Sequence, residues 1–281
     1  MTLNREVLIG VLNVNASSFV GGTQVHLKSF RESLGIADGL LNRVATTTGA
    51  LKMFVAPEYF FSQKVEMPRR VGDGTKTGYM PVSRDQGTRL VEDLVSLSGQ
   101  YPDFLIFAGS IHYMEDGVGK KNTYNACPIL AGGALVHLYH KRAYDNFAND
   151  VLTNPGFING SESPLFTFGD LRFGVEICLD HGHRVLENHL TSSGEAPPQI
   201  QVLVSRGMML GKTKATDLAI QCDMSPGVSR AGWVKQGDGT MIDSNLSGRP
   251  ISDGTYVECF RVPPKVVVPT ALPKAGKGVG I

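Results

Sequence analysis

The sequence predicts a sheet-centred α/β protein whose sheet is mixed, and three observations carry that prediction. Short apolar runs rich in β-formers recur along the chain, apolar residues at helical spacing lie between some of them, and glycine turns join others directly. The runs are Val7–Val14, Leu51–Ala56, Phe104–Ala108, Ala126–Leu130, Leu135–Tyr139, Phe173–Cys178 and Gln201–Val204. Between the first two, Leu34, Ala37, Leu40, Leu41 and Val44 form a helical stripe, with Gly49 placed where a C-terminal cap would stand. Ser83-Arg84-Asp85-Gln86 reads as a capping box that opens a second helix, with Leu90, Val91, Leu94 and Val95 buried. A third helix is expected from near His183, with Val185, Leu186 and Leu190 facing inward. Gly132-Gly133 and Gly169-Asp170 join strand-like runs without room for a helix, which is hairpin chemistry and makes the sheet mixed.

Two stretches stand apart. Ser62–Pro81, rich in Gly, Pro and charge, reads as a long loop, and 263–281 reads as a tail after a single domain spanning 1–262. The 27 basic and 26 acidic side chains leave a net charge of +1, so no strong field invites nucleic acid or an anionic membrane, and a small, weakly charged substrate is expected. The opening residues carry no basic n-region, and the apolar stretch from Val7 to Val14 is short and broken by Asn13, which reads as a strand and not as a signal peptide or membrane span. Four scattered cysteines, Cys127, Cys178, Cys222 and Cys259, with no CxxC pair point to a reduced, cytoplasmic setting.

Three segments end a buried strand on a reactive side chain: Phe54-Val55-Ala56-Pro57-Glu58, Val136-His137-Leu138-Tyr139-His140-Lys141, and Phe173-Gly174-Val175-Glu176-Ile177-Cys178-Leu179-Asp180. Strand ends in α/β sheets are where ligand sites form, because the backbone is rigid there and the loops beyond can vary. Alone, Cys178 reads as an inert buried thiol, Glu58 as a surface carboxylate and Lys141 as part of a solvated basic cluster. A strand-to-helix turn at Cys178, with a cation near, would instead favour the thiolate.

The order Pro-Glu after an apolar strand, a Lys after a Tyr/His strand, then Gly-x-Glu-Ile-Cys-x-Asp resembles the nitrilase, or carbon–nitrogen hydrolase, superfamily from Val7 to about Ile242. The spacings, 83 residues from Glu58 to Lys141 and 37 from Lys141 to Cys178, fit that family. The resemblance implies a four-layer α-β-β-α sandwich and a cofactor-free Glu58–Lys141–Cys178 triad. Cys178 is then the nucleophile, Glu58 the proton shuttle, and Lys141 with the Leu179 amide the oxyanion partners. Substrate contacts are expected from Tyr59, Asn149, Ser205 on the strand Gln201–Ser205, and His181 in the tract after the cysteine, and the resemblance implies a late hairpin at Gly239–Asp243. It also implies a homodimer or larger assembly, with 263–281 as a segment that could cross onto the partner. The family's second glutamate is replaced by Asn149, beside Asp145 and Asp150, and Ser62–Gln86 is longer and more polar than the pattern.

The activity that follows is hydrolysis of a small linear amide or carbamoyl compound through a cysteine thioester. Nitrile hydrolysis, acyl transfer to an amine and a non-catalytic binding module are the neighbouring readings. Cys178, His181, His183, His137 and His140 also suggest a zinc site, which leaves Glu58 and Lys141 without a role. Gly207–Thr213 departs from a phosphate loop by the position of its first glycine.

Overall fold

The computed structural model describes residues 3–14, 21–68, 75–117, 120–143, 155–225, 227–235, 237–243, 247–250 and 255–264. In chain order the elements are β1 (Val7–Val14), α1 (Thr23–Val44), β2 (Leu51–Val55), β3 (Gln63–Pro68), β4 (Thr75–Met80), β5 (Val82–Ser83), α2 (Arg84–Ser98), β6 (Phe104–Phe107), β7 (Ile111–Gly117), β8 (Lys120–Ala131) and β9 (Ala134–His140). They continue with β10 (Pro155–Phe157), β11 (Leu165–Phe168), β12 (Leu171–Ile177), α3 (Leu179–Gly182), α4 (Val185–Ser193), β13 (Ile200–Ser205), β14 (Leu218–Asp223), β15 (Arg230–Val234), β16 (Met241–Asp243), β17 (Ser247–Pro250) and β18 (Thr255–Val262).

Two mixed sheets lie face to face. The first runs β17-β18-β1-β2-β6-β8-β7-β5, with β9 and β10 also paired to β8; the second runs β11-β12-β13-β14-β15-β16. Strand periodicity explains the layering. In β1, Leu8, Leu12 and Val14 point to one cluster with Phe30, Leu34, Ala37 and Leu41 of α1, whereas Val7, Ile9 and Val11 point to another with Phe173, Val175 and Ile177 of β12. A strand covered on both faces needs a continuous apolar run, and β1 is buried at every position. The outer face of the second sheet carries Leu203, Ala219 and Val234, and Leu186 of α4 closes over Gly174. The result is a four-layer α-β-β-α sandwich, as expected.

The capping box at Ser83 is formed in both directions, with Gln86 as its partner. The Gly132-Gly133 and Gly169-Asp170 turns close antiparallel pairs, β8 with β9 and β11 with β12. Helix α4 begins at Val185 and buries Leu186, while Val185 and Leu190 are half-buried.

Two expectations need correction. Helix α1 ends at Val44 with Ala45 as its C-cap, and Gly49 (φ 86°) sits in the turn before β2. The helix stops early because Thr46 and Thr47 bond to the buried Glu6 carboxylate instead of continuing it, the Thr46 amide at 3.0 Å and hydroxyl at 2.9 Å, the Thr47 hydroxyl at 3.3 Å. Second, most of Ser62–Pro81 is not loop. It is an antiparallel hairpin, β3 with β4, in which Gln63 faces Met80 and Pro68 faces Thr75. Residues 265–281 of the expected tail lie outside the described residues, and among the described residues no helix is long and apolar enough to cross a membrane.

Glu6 joins three elements, because the Arg261 guanidinium of β18 also bonds its carboxylate, at 2.6 Å. Burial pushes this carboxyl up, but Arg261 and Thr46 outweigh it and hold it at about 2, below the ordinary 4.5. A depressed folded-state value stabilises fully above the unfolded one and is lost as pH falls. The stability advantage of wild type over Glu6→Gln should therefore shrink as pH drops from about 4.5 to about 2, read from urea midpoints along the pH series. A second expectation concerns Gly10, where a Cβ would stand 2.8 Å from Ala37 Cβ and 3.1 Å from Phe54 Cδ2. Gly10→Ala should cost about 1–3 kcal/mol by forcing α1 off the sheet, seen as a lower urea midpoint at unchanged slope.

Candidate active site

Three backbone exits meet where the two sheets face each other. Glu58 leaves β2 through Ala56-Pro57; the Ala56 amide bonds the Phe107 carbonyl at 2.9 Å, and the Ser110 amide bonds the Pro57 carbonyl at 3.3 Å. Gly109 makes this turn possible: its φ is 79°, and a Cβ there would stand 2.5 Å from the Pro57 oxygen. The Glu58 amide donates to the Ser205 carbonyl at 3.3 Å, tying β2's exit to the end of β13 in the other sheet. Lys141 follows β9, its amide on the Asn125 carbonyl at 2.8 Å.

Side chains complete the arrangement. Lys141 Nζ donates to Glu58 Oε1 at 2.9 Å with both side chains almost fully buried, at 2% and 1% exposure. Asn125 Nδ2 donates to the same oxygen at 3.0 Å, so the carboxylate is oriented as well as paired. Tyr59, in the left-handed region at φ 60°, has its amide on Ser110 Oγ at 2.9 Å and its ring stacked on Tyr79 of β4 at 4.7 Å. Lys141 Nζ stands 6.0 Å from the centroid of that Tyr59 ring.

Cys178 ends β12 with φ 48° and ψ −104°, a conformation costly for a residue with a Cβ and of order 1–3 kcal/mol to hold. Its amide is anchored on the Val204 carbonyl at 2.9 Å, and its Sγ lies 3.7 Å from the Arg206 carbonyl. Two residues on, Asp180 gathers the neighbouring backbone. Its Oδ1 accepts from the Arg142 and Ala143 amides at 2.9 and 2.6 Å; its Oδ2 accepts from Tyr139 Oη at 2.8 Å and the Ile177 amide at 3.2 Å. One carboxylate thus locks the segment carrying Lys141 to the turn carrying Cys178, although burial pushes its own carboxyl up to about 6.

The thiol's charge state departs from expectation. Burial pushes the Cys178 thiol well up, the Glu58 carboxylate pushes the same way, and Lys141 opposes them without winning. The depression expected from the turn and the cation is therefore outweighed, and the thiol is shifted up, not down.

The structure brings Glu58, Tyr59, Lys141 and Cys178 together, with the Leu179 amide next in chain. It does not bring His181: Nδ1 contacts Glu176 Oε2 at 2.8 Å and Nε2 accepts the Gly211 amide at 3.1 Å, so the ring belongs to the outer face of the second sheet. Ser205 contributes its carbonyl, because its hydroxyl turns away to Asp223 Oδ2 at 2.8 Å. Asn149, Asp145 and Asp150 lie outside the described residues. His137 is bonded to Ser163, and His140 to Tyr113 and Glu162; among the described residues no three His, Cys, Asp or Glu side chains converge as a metal site requires.

Comparison with solved structures places the fold. The Saccharomyces cerevisiae Nit3 protein, described as a member of branch 10 of the nitrilase superfamily, superposes with a TM-score of 0.56 at 14% identity over 96% of this chain and 97% of its own. An amidase from Nesterenkonia sp. gives 0.55 at 13% identity over 94% of this chain and 92% of its own. A carbon-nitrogen hydrolase from Helicobacter pylori G27 gives 0.54 at 10% identity over 91% and 89%. The chain has the nitrilase-superfamily fold. No protein-family model matches the sequence, and no curated protein does.

Within this nitrilase fold, sequence reasoning missed Asn125, Tyr79 and Arg206 and quoted Asp180 without giving it a part. Asn125 and Tyr79 come from strands whose partners only sheet register reveals. Asp180 had a signal, a carboxylate two residues past the cysteine in an otherwise apolar strand exit.

The opposing effects of Glu58 and Lys141 on the thiol can be separated. The pH profile of Cys178 alkylation by iodoacetamide should move to lower pH in Glu58→Gln and to higher pH in Lys141→Met, followed by intact-mass spectrometry and peptide mapping. Equal profiles in all three proteins would contradict the charge arrangement described.

Proposed function

We propose that this chain is a carbon–nitrogen hydrolase acting on a small amide or carbamoyl compound through a Cys178 thioester. The observation that carries the reading is the buried Glu58–Lys141 pair set beside a cysteine on a strained strand-to-helix turn, within a nitrilase fold. A structural ion pair alone would leave the strain at Cys178 without purpose.

In this reading Glu58 takes the thiol proton as Sγ attacks the substrate carbon, so the nucleophile is charged only when the electrophile is in place. The tetrahedral oxyanion faces the Lys141 ammonium and the Leu179 N–H. Collapse of that intermediate breaks the C–N bond, with Glu58 delivering its proton to the departing nitrogen, and ammonia or an amine leaves. Glu58 then deprotonates a water that attacks the thioester; the carboxylic acid departs and the proton returns to sulfur. Asn125, by bonding the same Glu58 oxygen as Lys141, keeps the other carboxylate oxygen directed at the reacting atoms. The Tyr59–Tyr79 stack walls the acyl side of the site.

Glu58→Gln keeps size and loses the base, so it should fold and lose on the order of 10²–10⁴ in rate of ammonia release from a panel of amides. Cys178→Ala should release none and show no acyl adduct, whereas wild type trapped with a slow amide should gain the acyl mass on Cys178 alone. An adduct on Cys127, Cys222 or Cys259 instead would refute the covalent assignment.

A further inference from the structure

A single helical turn has almost no stability of its own, so whatever holds it decides where its residues point. Helix α3 is such a turn, Leu179–Gly182, and it follows directly on the strained Cys178, with the Leu179 amide as its first N–H. Asp180 fixes its inner side through the four bonds described above. His181 fixes its outer side. Its Nδ1 lies 2.8 Å from Glu176 Oε2 on β12, and its Nε2 accepts the Gly211 amide at 3.1 Å. The ring is a bridge from the strand that ends on Cys178 to the connection between β13 and β14. The first residue of that connection, Arg206, places its carbonyl 3.7 Å from Cys178 Sγ. Further bonds hold the Gly207 amide to Asp223, and the Leu210 amide and Met208 carbonyl to Gln221. Those bonds tie the connection to β14, whereas the His181 bond ties it to α3.

The partners dictate the protonation of the ring. A backbone N–H only donates, so Nε2 must present a lone pair to Gly211. Glu176 already accepts from the Leu186 amide at 3.0 Å and from Gln201 Nε2 at 2.9 Å, so Nδ1 carries the hydrogen. The bridge therefore exists only for the neutral ring in one tautomer. A second proton would sit on Nε2 and face the Gly211 N–H, donor against donor. The charged groups facing the ring pull in opposite directions. Glu176 favours the second proton, while Arg184 at the entry to α4 and Lys212 and Lys214 of the connection oppose it; Glu187 of α4 is engaged by Lys214 at 3.0 Å. With His181 they line an open cleft of about 500 Å³, through which solvent protons reach a side chain that is 12% exposed.

We propose that His181 is a positioning residue for Cys178 and the Leu179 amide, holding their turn as a neutral bridge from Glu176 to Gly211 and releasing it when the ring takes a second proton. The bridge stands apart from the hydrolase reading, and its effect on turnover rests on that reading. Lowering the pH through the range in which imidazoles charge should loosen α3 and slow the reaction in kcat, with KM little changed. A purely structural histidine would hold the turn equally at every pH.

Two variants separate the states. In His181→Asn the amide reaches only as far as Nδ1, so it meets Glu176 and not Gly211. In His181→Gln it reaches as far as Nε2 and accepts the Gly211 amide without ever charging. Hydrogen exchange at the Gly211 amide, taken relative to the intrinsic rate at each pH, should show wild type protected at about pH 8 and losing on the order of 10-fold of that protection at about pH 5. His181→Asn should be unprotected at both, and His181→Gln protected at both. In hydrolysis of a common amide, kcat of wild type should exceed that of His181→Asn on the order of 10-fold at about pH 8 and match it at about pH 5, with His181→Gln restoring part of the loss. Every other titrating group is common to the three proteins, so each comparison is made at one pH. Wild-type protection that does not change with pH would overturn the release, and equal kcat in wild type and His181→Asn at about pH 8 would overturn the positioning role. If no amide is turned over, the hydrolase reading fails, and the rate of Cys178 alkylation by iodoacetamide takes the place of kcat. A difference between wild type and His181→Asn at about pH 8 that vanishes at about pH 5 then supports the assignment, and equal rates at both reject it.

Discussion

The buried contact between Glu58 and Lys141 is the constraint on which the rest of the site depends. Removing two charges from water costs several kcal/mol per ion, and the attraction repays it only where geometry is good and other polar groups complete the shell. Here the shell is built from both sheets. Asn125 of β8 supplies a donor to the carboxylate and a carbonyl to the Lys141 amide, while Ser205 at the end of β13 holds the Glu58 backbone. Losing one charge strands the other, at about 3–5 kcal/mol for a pair of this kind. The two sheets therefore cannot slide without exposing that penalty, and relative sheet position and site geometry become the same variable.

Asp180 extends this coupling along the chain. Its four donors come from β9, from the segment after it and from the end of β12, so Lys141 and Cys178 share one anchor. The strained backbone at Cys178 persists because its amide bond to Val204 and the Asp180 bonds on either side over-determine it. Strain at this residue and satisfaction at its neighbours belong to one design.

Much of this was legible in the amino-acid order, and what was not has physical reasons. A strand buried on both faces must be apolar throughout, so β1 announced itself, and the Ser83 capping box needed only local residues. The β3–β4 hairpin was hidden because its Gly, Pro and charge content mimics a loop, while its pairing partner lies across a turn. The end of α1 was misplaced because Thr46 and Thr47 answer to Glu6, which is distant in sequence. Glu58, Lys141 and Cys178, which the structure brings together, were visible as strand-end motifs, but the upward shift of the thiol was not: it depends on burial and on how far Glu58 outweighs Lys141 at the sulfur, a matter of ångströms. His181 misled for the opposite reason. Proximity in sequence to Cys178 suggested proximity in function, and a single helical turn carries it to the other side of the sheet.

The protonated state of Cys178 also bears on the protein's chemical durability. Oxidation of cysteine by peroxide begins from the thiolate, and a group kept as a thiol by burial and by a neighbouring carboxylate stays off the first rung of that ladder. Burial pushes the Cys127 and Cys222 thiols up as well, and Cys259 to about 12. A thiol held up by burial and by the neighbouring Glu58 carboxylate is shielded from oxidants, so the carboxylate that in the proposed reaction would arm the sulfur also keeps it safe at rest.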